Sequence, residues 1–141
     1  MEVVRHRLRY TLKSLCCGSD IADMKSMRIL VVEDEGLVAM LIEDMLDDLG
    51  CEVAGSAASV KQALAWLDGG GEADAALLDV QLGEEMVFPV AEALAARGTP
   101  FAFTTGYGEV NEPRYRHAPL LGKPIRGERL EQVLLEFAGG A

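Results

Sequence analysis

The sequence has few aromatic residues, few cysteines and no long apolar run. The last two shortages each exclude a class of protein. Aromatic residues make up 6% of the 141 residues. Three cysteines, two of them the neighbours Cys16 and Cys17, provide no disulfide framework, and Cys51 is expected to be a small buried apolar residue. No apolar stretch approaches the length of a membrane span, and the N-terminus lacks the apolar centre of a signal peptide. We therefore predict a soluble, cytoplasmic protein.

Basic residues are also scarce, and their distribution is uneven. The chain has 13 Lys and Arg against 23 Asp and Glu, a formal net charge of −10. Residues 1–26 carry a net +2 and the remainder carries −12. Because an acidic body repels the phosphates of nucleic acids, we expect no nucleic-acid binding. Half of the residues are apolar, which is sufficient for the core of one ordinary domain.

The N-terminal segment admits two interpretations. Its apolar residues fall on one helical stripe, apart from its Arg and Lys residues, so it could be a basic amphipathic helix for a membrane surface or a partner. It could equally be an extension that precedes the domain, with the domain starting near Met27. We favour the extension, since short isolated helices are marginal without packing. The predicted organisation is an extension over 1–26, helical or disordered, and one domain over 27–141.

From residue 27 onward, short apolar runs alternate with segments of helical periodicity. The runs have the composition of buried strands, and they cover residues 28–33, 52–57, 75–79, 101–105 and 119–122. The segment between the last two runs contains glycine and two prolines, so it has room only for a short or irregular helix. The alternation predicts an α/β fold, a doubly wound five-stranded parallel sheet of (βα)5 type with helices on both faces.

Reactive or charged side chains follow four of these strands. Glu33 and Asp34 follow the first strand, Asp79 ends the third, Thr105 ends the fourth, and Lys123 follows the fifth. Because open α/β folds bind ligands beyond the carboxyl ends of their parallel strands, we expect these side chains to gather at one edge of the sheet. A solvated acidic edge would explain any one of the carboxylates, but three at converging strand ends favour a functional site.

The chemistry of this set indicates phosphate handling with a divalent metal. Two like charges about 4 Å apart repel by about 4 kcal/mol at an effective dielectric constant near 20, so three carboxylates need a compensating cation. Mg²⁺ prefers oxygen ligands and often bridges to phosphate, and a carboxylate beside it could attack a phosphoryl group. The Thr105 hydroxyl could donate to a phosphoryl oxygen, and Lys123 could pair with Asp79 or with a phosphate on it. The Lys123–Pro124 bond could be cis.

The order of these residues resembles the receiver domain of bacterial two-component response regulators. Asp34, Asp79, Thr105 and Lys123 are separated by 45, 26 and 18 residues, spacings that suit a receiver, and the resemblance covers about residues 27–137. The segment 100–107, which reads Pro-Phe-Ala-Phe-Thr-Thr-Gly-Tyr, is similar to a subgroup with a Phe-Ala-Thr-Gly-Tyr/Gly motif. Many members of that subgroup are stand-alone regulators, and related receivers are fused to histidine kinases. The fold that the resemblance implies is flavodoxin-like.

The resemblance also implies a role for each residue. Asp79 would accept a phosphoryl group from a histidine of a kinase or phosphotransfer protein. Mg²⁺ would be held by the side chains of Asp34 and Asp79, by Glu33 through water, and by the main-chain carbonyl of Gln81. Thr105 and Lys123 would bind oxygens of the phosphoryl group. The chain would be a phosphoacceptor rather than an enzyme, a monomer or weak dimer without an output domain, acting on an unidentified downstream protein.

Two departures from the family pattern, and three alternatives, accompany this prediction. Leu120 stands where many receivers have an aromatic switch residue, and Thr104 stands where the subgroup commonly has alanine. A receiver cut from a hybrid histidine kinase would carry the same residues. A receiver used only for protein docking, without phosphorylation, is an alternative against which the intact acidic set argues. A Mg²⁺-dependent phosphohydrolase with an aspartyl phosphate intermediate is less favoured, because Gln81 occupies the position of the second aspartate in haloacid dehalogenase-type enzymes. The segment 107–118 is the surface expected to change state.

Overall fold

The structure is a computed structural model that describes residues 27–106, 108 and 110–139. The predicted extension over 1–26 therefore lies outside the described residues. The described residues form seven strands, four α-helices and one 3-10 turn at Pro113–Tyr115. The strands are β1 (Arg28–Val32), β2 (Glu52–Ala57), β3 (Ala75–Asp79), β4 (Gln81–Leu82), β5 (Glu85–Met86), β6 (Phe101–Thr105) and β7 (Leu120–Gly122). The helices are α1 (Gly36–Asp48), α2 (Val60–Asp68), α3 (Phe88–Ala96) and α4 (Gly127–Ala138).

Five of the strands form one parallel sheet in the order β2-β1-β3-β6-β7, which confirms the predicted fold class. The predicted strands are correct to within one residue at each end. In the described part of the segment expected to be irregular, the 3-10 turn is the only helical element. The antiparallel pair β4–β5 was not predicted, because strands of two residues are too short to show a periodicity.

Apolar side chains alternate along the buried strands and build two core layers. Val31, Leu77 and Leu121 face a layer that includes α1 and α4 residues such as Ile42 and Leu134. The intervening strand residues face a second layer, built with side chains of α2 and α3. Because side chains of a strand point alternately to the two faces, a sheet covered on both sides requires this near-continuous apolar sequence.

Local features of the helices follow from particular residues. The Ser59 hydroxyl accepts a hydrogen bond from the Gln62 amide at 3.1 Å and so caps α2. Trp66 is partly buried, and a Cβ atom placed on Gly55 would lie 2.6 Å from the indole, so this strand position accepts only glycine without rearrangement. Cys51 is buried as expected, and burial raises the pKa of its thiol to about 12. Among the described residues, no helix has the length and apolar character needed to cross a membrane.

Candidate functional site

The carboxyl edge of the parallel sheet brings three carboxylates together. One oxygen from each of Glu33, Asp34 and Asp79 lies within 4.8 Å of the other two. The side chains of Glu33 and Asp79 are buried, whereas Asp34 is exposed. The cluster is therefore open to solvent on the Asp34 side, an arrangement that suits a hydrated hard cation such as Mg²⁺.

An ammonium group compensates part of this negative charge. Lys123 Nζ donates to Asp79 Oδ2 at 3.0 Å and forms an ion pair with Glu33 Oε1, also at 3.0 Å. The pairing with Asp79 is one of the two that the sequence left open for this lysine. The Lys123–Pro124 peptide bond is cis, and the Lys123 amide donates to the Thr105 carbonyl at 2.8 Å. One cation thus faces two buried anions.

Burial and neighbouring charges shift the pKa values in this cluster. Burial, reinforced by the interaction with Asp79, raises the pKa of Glu33 from 4.5 to about 7. Burial by itself lowers the pKa of Lys123, but hydrogen bonds to Glu33 and Asp79 outweigh it, and the pKa of the ammonium is raised overall. Lys123 is therefore a permanent cation here, while Glu33 can gain a proton near neutral pH.

Backbone amides donate hydrogen bonds to all three carboxylates. The Glu35 amide donates to Glu33 Oε2 at 3.1 Å, and the Gln81 amide donates to Asp79 Oδ1 at 3.3 Å. The Gly83 amide, in the turn between β4 and β5, donates to Asp34 Oδ2 at 3.0 Å. Gly83 has φ +63°, a conformation that favours glycine. These donors could not be predicted from the sequence, since every residue except proline carries a backbone amide.

The threonines of β6 occupy neighbouring positions at this edge. Thr105 is buried at the end of the strand, and its carbonyl is the acceptor for the Lys123 amide. Thr104 is the residue that pairs in register with Asp79, and it is also buried. The predicted set of Glu33, Asp34, Asp79, Thr105 and Lys123 therefore lies at one edge of one sheet, with the Gln81 backbone beside it.

An aromatic ring lies close to β7 although Leu120 itself is aliphatic. Tyr115 of the 3-10 turn stacks on Phe88 with ring centroids 5.8 Å apart and also contacts the rings of Phe101 and Phe103. Phe103 pairs in register with Leu120. Tyr115 therefore supplies, from the preceding segment, an aromatic side chain on the Phe103 side of β6 and β7.

A doubly wound parallel sheet with acidic residues and a lysine at its carboxyl edge is the architecture of a receiver. Residues 29–134 match the response regulator receiver domain, and the chain belongs to this family. Receiver domains are signalling phosphoacceptors that bind Mg²⁺ at an acidic pocket and act with kinase or phosphotransfer partners.

Several solved and curated relatives agree with this assignment. The solution structure of SdrG from Sphingomonas melonis Fr1 is 45% identical with a TM-score of 0.70, and the match covers 78% of this chain and 94% of SdrG. The receiver domain of PhyR from Erythrobacter litoralis is 25% identical with a TM-score of 0.72, covering 81% of this chain and 91% of that one. The phyllosphere-induced regulator PhyR of Methylorubrum extorquens is 29% identical over 125 residues, which is 83% of this chain. The match spans 45% of the length of that relative.

Proposed function

We propose that this protein is a single-domain response regulator that accepts a phosphoryl group on Asp79 from a phosphohistidine of a kinase or phosphotransfer protein. The phosphoryl group would then switch its interactions with other proteins. The observation that carries the proposal is the environment of Asp79: this carboxylate is 6% exposed at the end of β3, with an ammonium at 3.0 Å. Two further carboxylates, Glu33 and Asp34, lie within 4.8 Å.

The donor set fits Mg²⁺. Three carboxylates face one ammonium, so the cluster keeps an excess of negative charge, and all candidate ligands are oxygen atoms. Asp34 and Asp79 would hold the ion directly, Glu33 through water, and Gln81 through its main-chain carbonyl. When bound, Mg²⁺ supplies positive charge that reduces the repulsion between these carboxylates and the incoming phosphoryl oxygens.

The transfer itself is a substitution at phosphorus. A carboxylate oxygen of Asp79 forms the new P–O bond, and the P–N bond to the donor imidazole breaks, with the nitrogen keeping the electron pair. Lys123 is already hydrogen-bonded to Asp79, so a small displacement would move its ammonium from the carboxylate to a phosphoryl oxygen. The Thr105 hydroxyl would donate to another of these oxygens. Both contacts form with the phosphorylated state only.

Those new contacts would contribute part of the free energy that shifts the protein from one state to the other. A phosphoryl group adds a charge of about −1.5 to −2 at one point. Moving a two-state equilibrium from 1:99 to 99:1 needs about 5.5 kcal/mol of differential stabilisation. A hydrogen bond to a charged group contributes about 1.5–3 kcal/mol. Because the Lys123 bond to the phosphoryl group would replace its present bond to Asp79, the contacts from Lys123 and Thr105 cover part of that amount.

A phosphohydrolase is less well supported by the geometry. Such an enzyme would need an acid or base two residues after Asp79, and that residue is Gln81. The Gln81 side-chain amide donates to the Gly83 carbonyl at 3.3 Å, so it is engaged in the β4–β5 turn and carries no carboxyl group. We therefore favour a phosphoacceptor over an enzyme that turns over a small substrate.

We also infer that the protein acts in the cytoplasm, because receiver domains are generally cytoplasmic.

Incubation with acetyl phosphate and Mg²⁺, followed by intact mass measurement, tests this function. We expect one phosphoryl adduct on the wild type and none on Asp79→Asn. Asp47→Asn is the matched control, since Asp47 is exposed near the C-terminal end of α1 whereas Glu33 and Asp34 precede its N-terminal end, and this variant should accept the adduct normally. No adduct on the wild type, or an adduct that survives Asp79→Asn, would overturn the proposal.

We also propose that residues 27–141 carry this function and that 1–26 are a dispensable extension. The first described strand starts at Arg28, and Met27 is already part of the core. Expression from Met27 provides the test. Equal thermal stability and equal phosphorylation of the shortened chain are expected, and a loss of either would show that the extension contributes to the domain.

A further inference from the structure

The side chain of Thr104 combines burial with an unused hydrogen-bonding group. Thr104 is 1% exposed, and its hydroxyl has no hydrogen-bond partner among the described residues. A buried hydroxyl without a partner destabilises a fold, whereas valine has the same shape and no such requirement. Packing alone therefore does not account for threonine at this position of β6.

The register of the sheet locates this hydroxyl beside the acidic cluster. Thr104 pairs with Asp79 on one side and with Leu121 on the other. Along β6, Ala102 belongs to the core layer below α1 and α4, and Phe103 belongs to the opposite layer. Since strand side chains alternate between the faces, Thr104 shares the face of Ala102. Asp79 lies on the same face, two residues after Leu77 of that layer.

In the unphosphorylated structure, Asp79 already has a donor for each oxygen. Lys123 donates to Oδ2 at 3.0 Å and the Gln81 amide donates to Oδ1 at 3.3 Å. In this state, Asp79 therefore does not need the Thr104 hydroxyl as a hydrogen-bond donor. Phosphorylation would change this balance, because one carboxyl oxygen of Asp79 would form the bond to phosphorus and Lys123 would move to the phosphoryl group. The other oxygen would become a carbonyl oxygen, which can accept a hydrogen bond from Thr104 beside the one from the Gln81 amide.

We propose that Thr104 is a positioning residue whose hydroxyl donates to the Asp79 carboxyl group when that group carries a phosphoryl or a phosphoryl mimic. The inference rests on the proposed function of Asp79. Neighbouring strands are about 4.8 Å apart, and rotation of the threonine side chain about its Cα–Cβ bond re-aims the hydroxyl without moving the backbone. The bond holds the modified carboxyl group in one orientation, while Lys123 and Thr105 bind the phosphoryl oxygens.

The isosteric variant Thr104→Val tests this role with beryllofluoride and Mg²⁺ as the probe. Without the probe, we expect Thr104→Val to melt at the same temperature as the wild type or higher, because an unpartnered hydroxyl has been removed. With the probe, the beryllofluoride concentration that gives half of the maximal Tm shift should rise by about three- to tenfold, the effect of losing one hydrogen bond. The half-life of the adduct formed with acetyl phosphate should change in the same variant.

Two further variants keep the experiment decisive. Thr104→Ser retains the hydroxyl and should respond to beryllofluoride like the wild type, whereas Thr104→Ala lacks it and should respond like Thr104→Val. This alanine and serine pair gives the answer even if valine disturbs the fold. Thr99→Val, two residues before the start of β6, is the matched control and should leave the response unchanged.

The outcomes separate the two proposals. If the wild type binds beryllofluoride and Thr104→Val binds it equally well, Thr104 has no positioning role and this inference is wrong. If the wild type neither binds beryllofluoride nor accepts phosphate from acetyl phosphate, the proposed function of Asp79 is wrong, and the inference about Thr104 is wrong with it. A weaker response of the two hydroxyl-free variants alone supports the inference.

Discussion

Lys123 reaches across a strand to Asp79. Its ammonium lies 3.0 Å from Asp79 Oδ2, although β6 separates β7 from β3 in the sheet. The same ammonium lies 3.0 Å from Glu33, which follows β1 on the far side of β3. One cation therefore links residues of three strands, and a change to any of the three charges alters the environment of the other two.

Removing the ammonium should destabilise the metal-free protein. We expect Lys123→Met to lower the free energy of unfolding by about 2–3 kcal/mol at pH 8, because it leaves two buried carboxylates side by side without compensation. This is below the usual cost of breaking a fully buried pair, since the Lys123 side chain is 19% exposed. Urea denaturation measures the difference. Lys61→Met on the exposed face of α2 is the control, with an expected change within about 0.5 kcal/mol; similar losses in both variants would contradict the prediction.

Mg²⁺ should stabilise the fold through Asp34. We expect the free energy of unfolding to rise with Mg²⁺ concentration, by about 1.4 kcal/mol for each tenfold increase above the dissociation constant. Asp34→Asn should shift this dependence to at least about tenfold higher Mg²⁺, since a charged ligand is lost while an amide oxygen can still accept from Gly83. Thermal melts at several Mg²⁺ concentrations measure it. Asp47→Asn should behave like the wild type, and an unchanged Mg²⁺ response of Asp34→Asn would exclude a metal at this cluster.

Glu33 should make the metal-free protein less stable as the pH rises. Its pKa in the folded state is about 7 against 4.5 for the free side chain, so the folded state binds this proton more tightly than the unfolded state. The stabilising effect of protonation is present below pH 4.5 and disappears as the pH rises toward and through 7. The difference in unfolding free energy between the wild type and Glu33→Gln should therefore fall by at least about 1 kcal/mol between pH 5 and 8.

Chemical denaturation at several pH values, with a chelator present, checks this behaviour. Glu136→Gln, an exposed carboxylate of α4, is the control, and its difference from the wild type should not vary in the same way. A wild-type to Glu33→Gln difference that is constant over this range would contradict the raised pKa.

The segment 110–118 should respond to phosphorylation. A cavity of about 480 Å³ lined by Val110, Tyr115 and Leu120 among others lies beside it, so the tyrosine ring has space to change position. The amides of Tyr115 and Ala118 form hydrogen bonds within the segment, and we expect their hydrogen exchange to change by about fivefold or more when beryllofluoride is added. Leu134, fully buried in α4, provides an internal reference. Unchanged exchange at Tyr115 and Ala118 would show that the switch uses another surface.

Much of the fold could be predicted because its signals are local. Buried parallel strands need continuous apolar runs, and the helices between them need apolar residues at helical spacing, so both can be recognised within a few residues. The two-residue strands β4 and β5 could not, because two residues are too few to show a periodicity. The described residues of the segment 107–118 are irregular as expected, yet nothing local indicated that Tyr115 would join the rings of Phe88, Phe101 and Phe103.

The candidate site, like the fold, could be predicted only in part. The side chains at the strand ends could be predicted from the sequence. The parallel topology then required Glu33, Asp34, Asp79, Thr105 and Lys123 to share one edge. Other features depend on the packed fold. A single ammonium contacts both Asp79 and Glu33, backbone amides hold each carboxylate, and the Thr104 hydroxyl is buried beside Asp79 without a partner among the described residues. The physical reason is that charge compensation, burial and hydrogen bonding depend on distances of a few ångströms between residues far apart in the chain, and only the packed fold sets those distances.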